Sequence, residues 1–351
     1  MSGLKIGVIG ATGMVGRQYL EILEASPLEV AQLRLYASAR SVGSRMTYAG
    51  ESLAVEELTV EACRGLDIAF FTVSTELARQ YAPQVAEHGT LVIDDSSAFR
   101  MDPDVPLVVP EVNPDAARSH KGIIAGPNCS TAQMVVVLQP LQQAAGLKRV
   151  VVDTYQAASG AGKAAMDELI DHSRRFLAGE RPAPENHPQS LAFNIFPHID
   201  SFRDDGYTKE EWKMLVETRK IMDLPDLRLS ATCVRVPVAV GHSEALHIEF
   251  ERPMSAREAR EVLERAPGIV VVDDPLNREY PQPIEAAGLD PVYVGRIRDD
   301  VSNPGGIALW VVADNVRKGA ALNAVQIAEL LYPSAVPAQT EGRATAAMTA
   351  R

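Results

Sequence analysis

Cysteine, positive charge and long apolar runs are all scarce in this sequence, and each shortage excludes a class of protein. The 351 residues include three cysteines at widely separated positions, an odd number that argues against a disulfide framework and fits a reducing compartment. The net charge of −12 argues against nucleic acid or an anionic membrane as the main partner. No apolar run approaches the roughly 20 residues that a membrane helix needs. The spacing of cysteine and histidine does not resemble a metal site.

What is present describes an ordinary globular protein. Hydrophobic residues make up 46% of the chain and charged residues 23%, and the length allows two domains with their own cores. The first residues, MSGLKIGVIG, enter a strand-like segment at once and lack the architecture of a signal peptide. We therefore expect a cytoplasmic protein that uses no metal, binds no nucleic acid and does not enter a membrane.

The first 125 residues alternate short apolar runs with helical patterns. Strand-like LKIGVIG, helical MVGRQYLEILEAS and strand-like QLRLYA follow one another, and the same rhythm continues through LDIAFFTVS, TELARQYAPQVAEHG and TLVIDDSS. This alternation predicts βαβ units and a mostly parallel sheet. Residues 106–112 (PLVVPEV) and 121–126 (KGIIAG) add two further candidate strands.

The second half of the chain has a different character. Longer candidate strands, such as KRVVVDTYQAA and GIALWVVADN, are separated by fewer and longer helices, which predicts an α+β domain with a largely antiparallel sheet. A last helix, KGAALNAVQIAELL, follows the final strand. Residues 333–351 are small, polar and patternless, which predicts a disordered tail.

A glycine-rich turn follows the first strand. In GVIGATGMVGR, Gly7, Gly10, Gly13 and Gly16 lie three residues apart and open the first helix. Such a turn lets the backbone approach the pyrophosphate of a dinucleotide, which the helix N-terminus then binds. The spacing differs from the commoner G-x-G-x-x-G form, and a tight turn without a ligand is the alternative.

The second strand ends without the carboxylate that NAD sites usually place there. The chain instead reads LYASARSVGSR, in which Ser38, Arg40 and Ser41 offer hydroxyls and a fixed positive charge. These groups suit the 2′-phosphate of NADP. A solvated turn with an incidental arginine is the alternative.

Cys129 stands in AGPNCST, residues 125–131, between a Gly-Pro-Asn stop and a long helical pattern. A thiol in the first turn of a helix faces unpaired backbone N–H groups and the positive end of the helix dipole, which favour the thiolate. The position predicts an activated nucleophile with a lowered pKa. The alternative is a small buried hydrophobic residue at a helix start.

Other polar residues lie at or near the ends of strands. Gln156 ends a strand before the small-residue loop 159–162, Arg235 and His242 flank a short Pro-Val segment, and Arg100 follows a strand. An arginine can bind a carboxylate through two parallel hydrogen bonds, and a histidine can act as acid and base near neutral pH. Taken singly, the two arginines are more typical of a surface and the histidine of a turn, and the loop is equally typical of a plain left-handed turn.

Residues 208–222, TKEEWKMLVETRKIM, have the pattern of a helix that begins with a capping box formed by Thr208 and Glu211. One apolar face is shared by Trp212, Leu215 and Val216. Glu210 and Lys213 stand three residues apart on an adjacent face. By sequence alone they form an exposed ion pair that contributes little to stability.

Taken together and in this order, these segments resemble aspartate-semialdehyde dehydrogenases from about residue 3 to residue 332. The matching stretches are GATGMVG, ASARS, IDDSSAFR, VPLVVPEVN, PNCST, TYQAASGAG, EEWKMLVETRKI, RVPVAVGHSE and DNVRKGAALNAVQIAE. The resemblance implies an α/β fold with two domains. Residues 1–128 and a C-terminal helix at about 316–332 would form a Rossmann-like NADP-binding domain. Residues 129–315 would form an α+β catalytic and dimerisation domain on a largely antiparallel sheet.

The resemblance also implies roles for individual residues. Cys129 would be the nucleophile that becomes an acyl-enzyme, His242 the acid and base, and Gln156 the residue that orients the substrate. The residues implied for the substrate are Arg235 for its α-carboxylate, Glu210 for its position, and Arg100 and Lys213 for phosphate. The residues implied for NADP are Gly10, Thr12, Gly13, Met14, Val15, Ser38, Arg40, Ser41, Ser159, Gly160 and Asn315. One departure is Gly126, where the family commonly has asparagine.

The implied reaction is the reversible, NADPH-dependent reductive dephosphorylation of L-aspartyl 4-phosphate to L-aspartate 4-semialdehyde through a cysteine thioester. It would serve the biosynthesis of lysine, threonine, methionine and diaminopimelate. The implied partners are this substrate, inorganic phosphate and a second copy of the chain, in a homodimer or a dimer of dimers.

Two other functions are alternatives. N-acetyl-glutamyl-phosphate reductase shares the chemistry, but its nucleophile resembles Pro-Gly-Cys rather than Pro-Asn-Cys at residues 127–129. The second alternative is a catalytically silent NADP-binding sensor. The co-occurrence of four residues counts against it: Cys129, Gln156, Arg235 and His242.

Overall fold

The computed structural model describes residues 3–333, which form two β-sheets with helices packed on them. The tail predicted over residues 333–351 therefore lies, from residue 334 onward, outside the described residues. Within the described part of the chain, no helix combines the length and the apolar character needed to cross a membrane.

The first sheet has seven strands in the order β3-β4-β2-β1-β5-β6-β7. In chain order its elements and helices are β1 (Leu4–Ile9), α1 (Met14–Ala25), β2 (Val30–Ala37), β3 (Arg45–Tyr48), β4 (Glu51–Glu57), β5 (Ile68–Phe71), α2 (Thr75–Glu87), β6 (Leu91–Asp94) and β7 (Ile123–Ala125). All neighbours are parallel except the β3–β4 hairpin. The central strands β5 and β6 are buried throughout and, except for Asp94, apolar, because helices cover a parallel sheet on both faces. The prediction of βαβ units with a mostly parallel sheet is confirmed.

The two late strand candidates of this half have different outcomes. Residues 121–126 contain β7, as predicted. The prediction of a strand over residues 106–112 is wrong, because this segment joins the sheet through one isolated bridge between Leu107 and Ala125. Pro106 and Pro110 have no N–H to donate, so a longer ladder cannot form there.

The second sheet has six strands in the order β11-β12-β13-β10-β8-β9. The elements of this half are α3 (Cys129–Ala145), β8 (Leu147–Gln156), α4 (Lys163–Leu177), α5 (Lys209–Met222), β9 (Arg228–Arg235), β10 (His242–Phe250), α6 (Ala256–Leu263), β11 (Ile269–Val271), α7 (Pro283–Ala286), β12 (Val292–Asp299) and β13 (Ile307–Ala313). The β12–β13, β13–β10 and β10–β8 pairs are antiparallel, and the two outer pairs are parallel. A largely antiparallel sheet is therefore confirmed.

Helices cover one face of the second sheet, and the other face is partly open. The helices α3, α5 and α6 pack on the first of these faces and enclose its apolar core. On the opposite face of β8, β9 and β10, Tyr155, Thr232 and His247 are exposed. This open face is a ready surface for another sheet.

The end of the chain returns to the first sheet. A π-helical segment, Arg317–Ala321, leads into α8 (Leu322–Leu331). Val325 and Ala328 of α8 lie in the same apolar core as Ile6 and Val8 of β1. These contacts support the proposed division, in which the last helix completes the first domain.

Candidate active site

A cavity of about 520 Å³ lies where the two halves of the chain meet. The start of α1 contributes Val15, the loops after β5 and β6 contribute Thr72 and Ser96, and the second half contributes Cys129, Gln156 and Arg235. Ligands of open α/β sheets bind at this end of the strands, where the loops leave the carboxyl edge.

Cys129 is the first residue of α3, as predicted, and its side chain is partly exposed to the cavity. Asn128 caps this helix because its Oδ1 accepts hydrogen bonds from the N–H groups of Ser130 (3.0 Å) and Thr131 (3.3 Å). Gly126 donates its N–H to the Asp94 carbonyl at 2.8 Å and so keeps the loop beside the end of β6.

The prediction of a lowered thiol pKa is wrong for this arrangement. Burial raises the pKa of the Cys129 thiol to about 12, and the nearby Glu210 carboxylate adds to the effect. Arg100 and Arg235 act in the opposite direction but do not outweigh burial. At the helix start the N–H groups of Ser130 and Thr131 bind the Asn128 side chain, and the Ser130 N–H also favours the thiolate without outweighing burial.

Glu210 connects the nucleophile loop to the strand that carries Gln156. Its Oε1 accepts from Asn128 Nδ2 at 2.7 Å and from Gln156 Nε2 at 3.1 Å, and its Oε2 lies 3.3 Å from Lys213 Nζ. Burial opposes ionisation, but Lys213 and the two amides hold the pKa of Glu210 below its usual range. Thr154 donates to Gln156 Oε1 at 3.0 Å and fixes the orientation of that amide.

Glu210 and Lys213 form an ion pair, but the prediction that this pair is exposed is wrong. Glu210 is 5% exposed, and the Lys213 side chain is 25% exposed and also binds Asp200 at 2.8 Å. The face of α5 that is buried carries Glu210, Glu211, Met214, Glu217, Thr218 and Ile221, whereas Trp212 is exposed. The capping box of Thr208 and Glu211 is present as predicted.

Arg235 and His242 are both buried, contrary to the reading of them as a surface arginine and a turn residue; Arg235 lines the cavity, whereas His242 does not and lies against Gly160, which does. Both side chains contact the backbone of Ala157. Arg235 Nη1 donates to the Ala157 carbonyl at 2.6 Å, and the Ala157 N–H donates to His242 Nδ1 at 3.1 Å. The neutral ring therefore carries its proton on Nε2. Burial, with Arg235 nearby, lowers the pKa of His242 well below its usual value. Gly160 lies against both side chains, since a Cβ there would come within 2.8 Å of Arg235 Nη1 and 3.1 Å of His242 Nε2.

Arg100 is buried to 8% exposure at the edge of the cavity, so it is not the surface arginine that sequence alone suggests. Its Nε donates to the Gly126 carbonyl at 2.9 Å, its Nη2 to the Asp95 carbonyl at 2.7 Å, and its Nη1 to Glu217 Oε1 at 3.1 Å. Sequence reasoning missed Glu217 and the cap by Asn128. A signal for Glu217 exists, because it stands seven residues after Glu210 and so lies on the same helix face.

The glycine turn fits a dinucleotide. Gly10 has φ +91°, and a Cβ there would come within 2.3 Å of the Thr72 carbonyl oxygen, so only glycine allows this approach. Gly13 caps α1 without a side chain, and the first turn, which includes Met14 and Val15, carries no acidic residue. The helix start is thus open to an anion.

The other predicted cofactor residues fall into two groups. Ser159, Gly160 and Asn315 line the cavity, where Asn315 Oδ1 accepts from Ser159 Oγ at 3.0 Å. The second group, Ser38, Arg40 and Ser41, lies in an exposed turn after β2 outside the cavity, and Thr12 reaches it through a contact of 3.5 Å with Ser41 Oγ. No carboxylate stands among them. Across residues 3–333, no group of three or more His, Cys, Asp or Glu side chains is placed to hold a metal ion.

The chain is similar to known proteins over nearly its whole length. Residues 5–120 match the family model described as semialdehyde dehydrogenase, NAD binding domain, and residues 138–318 match the one described as semialdehyde dehydrogenase, dimerisation domain. Aspartate-semialdehyde dehydrogenase of Aquifex aeolicus is 54% identical over 333 residues, which cover 94% of this chain and 98% of that protein.

Two solved structures show the same similarity in three dimensions. Aspartate-semialdehyde dehydrogenase II of Vibrio cholerae, complexed with ASA, is 45% identical with a TM-score of 0.91, covering 95% of this chain and 99% of that one. Aspartate-semialdehyde dehydrogenase of Candida albicans, with NADP, is 27% identical with a TM-score of 0.70, covering 94% and 98%.

Proposed function

The chain belongs to the aspartate-semialdehyde dehydrogenase family and is an oxidoreductase of that kind, and we propose that it interconverts L-aspartyl 4-phosphate and L-aspartate 4-semialdehyde with NADP(H) through a thioester on Cys129. One observation carries the proposal: the Cys129 thiol opens onto a cavity that is also lined by three cationic side chains, those of Arg100, Lys213 and Arg235. The substrate carries a carboxylate and a phosphate, and two separate cationic groups on an acidic protein suit such a molecule.

The proposed seating of the substrate follows from these charges. Arg235 binds the α-carboxylate, because Ala157 uses only part of its donor fork. Arg100 and Lys213 bind the phosphate of the acyl phosphate or inorganic phosphate in the reverse direction. Gln156, oriented by Thr154, and Glu210 position the substrate between them.

In the proposed first step the Cys129 sulfur attacks the acyl carbon of the acyl phosphate. The bond from that carbon to the phosphate oxygen breaks, the thiol proton leaves with the phosphate, and a thioester remains. The thiolate is the nucleophilic form of cysteine, so the proton must leave the sulfur as it attacks, and the leaving phosphate can accept it.

His242 serves the second step as a hydrogen-bond donor. Reduction of the thioester leaves a negatively charged oxygen on the substrate carbon. The proton on Nε2, fixed there by the Ala157 N–H, stabilises this oxygen. The carbon–sulfur bond then breaks to release the semialdehyde, and the Cys129 thiolate takes up a proton from water. No step requires His242 to accept a proton, which narrows the acid and base role implied by the family.

For the cofactor we propose NADP rather than NAD. The glycine turn Gly10–Gly13 and the start of α1, with Met14 and Val15, would hold the pyrophosphate. Arg40, with the hydroxyls of Ser38 and Ser41, would bind the 2′-phosphate, and Thr12, Ser159, Gly160 and Asn315 would complete the site. When bound, NADPH supplies the hydride that reduces the thioester.

We also propose a homodimer that forms through the open face of the second sheet, where Tyr155, Thr232 and His247 are exposed; a dimer of dimers is the larger alternative. The match of residues 138–318 to a dimerisation domain supports a dimer through this half of the chain. The three cysteines carry free thiols, which suits a cytoplasmic enzyme of lysine, threonine, methionine and diaminopimelate biosynthesis.

The test is NADPH formation from aspartate semialdehyde with and without inorganic phosphate. Turnover that needs phosphate supports the proposal, and the same rate without phosphate contradicts acyl transfer to phosphate. Reaction with N-acetylglutamate semialdehyde alone would favour the reductase alternative, and NADP binding without turnover would favour the sensor. Cys129→Ala should abolish turnover and leave NADP binding near that of the wild type, and substantial residual activity would remove Cys129 from the nucleophile role.

A further inference from the structure

The loop before the nucleophile is bound on both sides by one buried ion pair. Arg100 holds the carbonyl of Gly126, and Glu217 Oε2 accepts the N–H of Asn128 at 2.6 Å. The two side chains are joined at 3.1 Å between Arg100 Nη1 and Glu217 Oε1. Pro127, between the two held peptides, has no N–H of its own.

The backbone hydrogen bonds of this loop are therefore tied to side chains from other elements. Two further backbone groups of the loop are also used, because Gly126 donates to the Asp94 carbonyl and the Asn128 carbonyl accepts from the Ala132 N–H at 2.9 Å. The loop has little freedom to move without breaking the Arg100–Glu217 pair, and any movement of that pair is transmitted to the peptide directly before Cys129.

Glu217 also balances the charge of Arg100. Its side chain is 1% exposed, and both oxygens accept hydrogen bonds, as an ionised carboxylate does. Burial raises the pKa of Glu217, and Arg100 and the Asn128 N–H oppose that rise. The other charges that face the thiol are Glu210, which favours the protonated form, and Arg100 and Arg235, which favour the thiolate. Neutralisation of Arg100 by Glu217 thus weakens the attraction of anions to the part of the cavity that Arg100 lines.

We propose that Glu217 is a positioning residue that ties Arg100 to the backbone of the nucleophile loop and moderates the positive charge that meets the substrate phosphate and the Cys129 sulfur. This inference rests on the proposed function for the identity of the anion. The electrostatic coupling between Glu217 and the Cys129 thiol does not depend on the proposed function. Glu217 touches neither sulfur nor substrate in this role and acts through Arg100 and Asn128.

The decisive variant is Glu217→Gln. A glutamine oxygen can still accept the Asn128 N–H, whereas its neutral amide cannot balance Arg100. We expect the KM for phosphate to fall about threefold to tenfold, and the rate of iodoacetamide alkylation of Cys129 at about pH 8 to rise by a similar factor. Loss of folded protein alone would not lower the KM for phosphate, and it would speed alkylation of all three cysteines rather than of Cys129 alone.

Glu211→Gln is the matched control. Glu211 is another buried carboxylate on α5, and it contacts the Thr208 and Cys233 N–H groups instead of the nucleophile loop. It should lower the melting temperature and leave the phosphate KM and the alkylation rate of the folded enzyme unchanged. If Glu217→Gln behaves in the same way as Glu211→Gln, the proposal is wrong.

Glu217→Asp decides the question if the glutamine variant does not fold. Aspartate keeps the charge but is one methylene shorter, so it cannot reach both Arg100 and the Asn128 N–H. We expect kcat to fall about 10- to 100-fold without a fall in the phosphate KM; an unchanged kcat overturns the positioning role. If the wild type turns over at the same rate with and without phosphate, the proposed function is wrong. The alkylation rates would still show whether Glu217 acts on the Cys129 thiol.

Discussion

Replacement of Asn128 by alanine removes two functions from one side chain. The Asn128 side chain is 6% exposed, its oxygen caps α3, and its nitrogen donates to Glu210 at 2.7 Å. Loss of an N-cap costs about 0.5–2 kcal/mol of stability. Loss of a hydrogen bond to a charged group costs about 1.5–3 kcal/mol. The two losses are distinct contacts, so Asn128→Ala should lower the free energy of unfolding by about 2–5 kcal/mol.

Two matched substitutions separate the two contributions. Asn128→Ser keeps a capping oxygen and loses the donor to Glu210, so its stability should lie between the wild type and the alanine variant. Asn128→Asp keeps the cap and favours the helix dipole, but it places a second carboxylate against Glu210. That repulsion should disturb the site more than the helix, with a fall of at least about 10-fold in kcat/KM for the semialdehyde and phosphate.

The assays are urea unfolding at one fixed protein concentration, since a dimer makes stability depend on concentration, and steady-state kinetics. A stability order of wild type, serine variant, alanine variant is expected. The reasoning is refuted if Asn128→Ala changes the unfolding free energy by less than about 0.5 kcal/mol, the size of an ordinary surface effect. Wild-type activity of Asn128→Asp would likewise refute the role given to the contact with Glu210.

Four further outcomes are expected. Gly319→Ala should lower kcat about 10- to 100-fold, because its Cβ would come within 2.7 Å of Cys129 Cβ and displace the nucleophile; kinetics equal to the wild type would contradict this contact. Arg40→Ala should raise the KM for NADP about 10-fold while the NAD reaction hardly changes, and equal use of the two cofactors by the wild type would exclude the proposed 2′-phosphate site. Arg235→Lys should lower kcat/KM about 10- to 150-fold, because lysine has no planar fork with which to bind the Ala157 carbonyl and a carboxylate together. A loss under about threefold would mean that Arg235 acts only as a point charge. Because the pKa of Cys129 is raised to about 12, its thiolate fraction grows with pH throughout the neutral range. The rate of Cys129 alkylation should therefore rise about 10-fold per pH unit through pH 9, and a plateau below that pH would mean a more acidic thiol.

Local patterns predict the frame of the site because they depend on neighbouring residues. The Gly-Pro-Asn stop predicts the start of α3 at Cys129, and Thr208 with Glu211 predicts the cap of α5. Alternation of apolar runs and helical patterns predicts the parallel sheet. Each of these signals lies within a few residues of the feature that it specifies.

The chemistry of the site depends on contacts between distant segments, which the sequence alone does not reveal. The pKa of Cys129 depends first on its burial and then on Glu210, Arg100 and Arg235, which are distant from it in the sequence. The buried face of α5 is the one with Glu210 and Glu217 because α3 supplies polar partners for carboxylates there. A pattern of apolar residues therefore points to the opposite, exposed face around Trp212.

The return of the last helix to the first sheet has a consequence for biosynthesis on the ribosome. When residues 1–128 have emerged, all seven strands of the first sheet exist, but α8, which completes their apolar core, is still about 200 residues from synthesis. The intervening segment carries its own sheet and core and can fold while it emerges. The early sheet must wait with an uncovered apolar flank until Ala324, Val325 and Ala328 leave the exit tunnel. Translation thus makes the first-made domain the last to close, and a chain truncated before α8 should be a chaperone substrate.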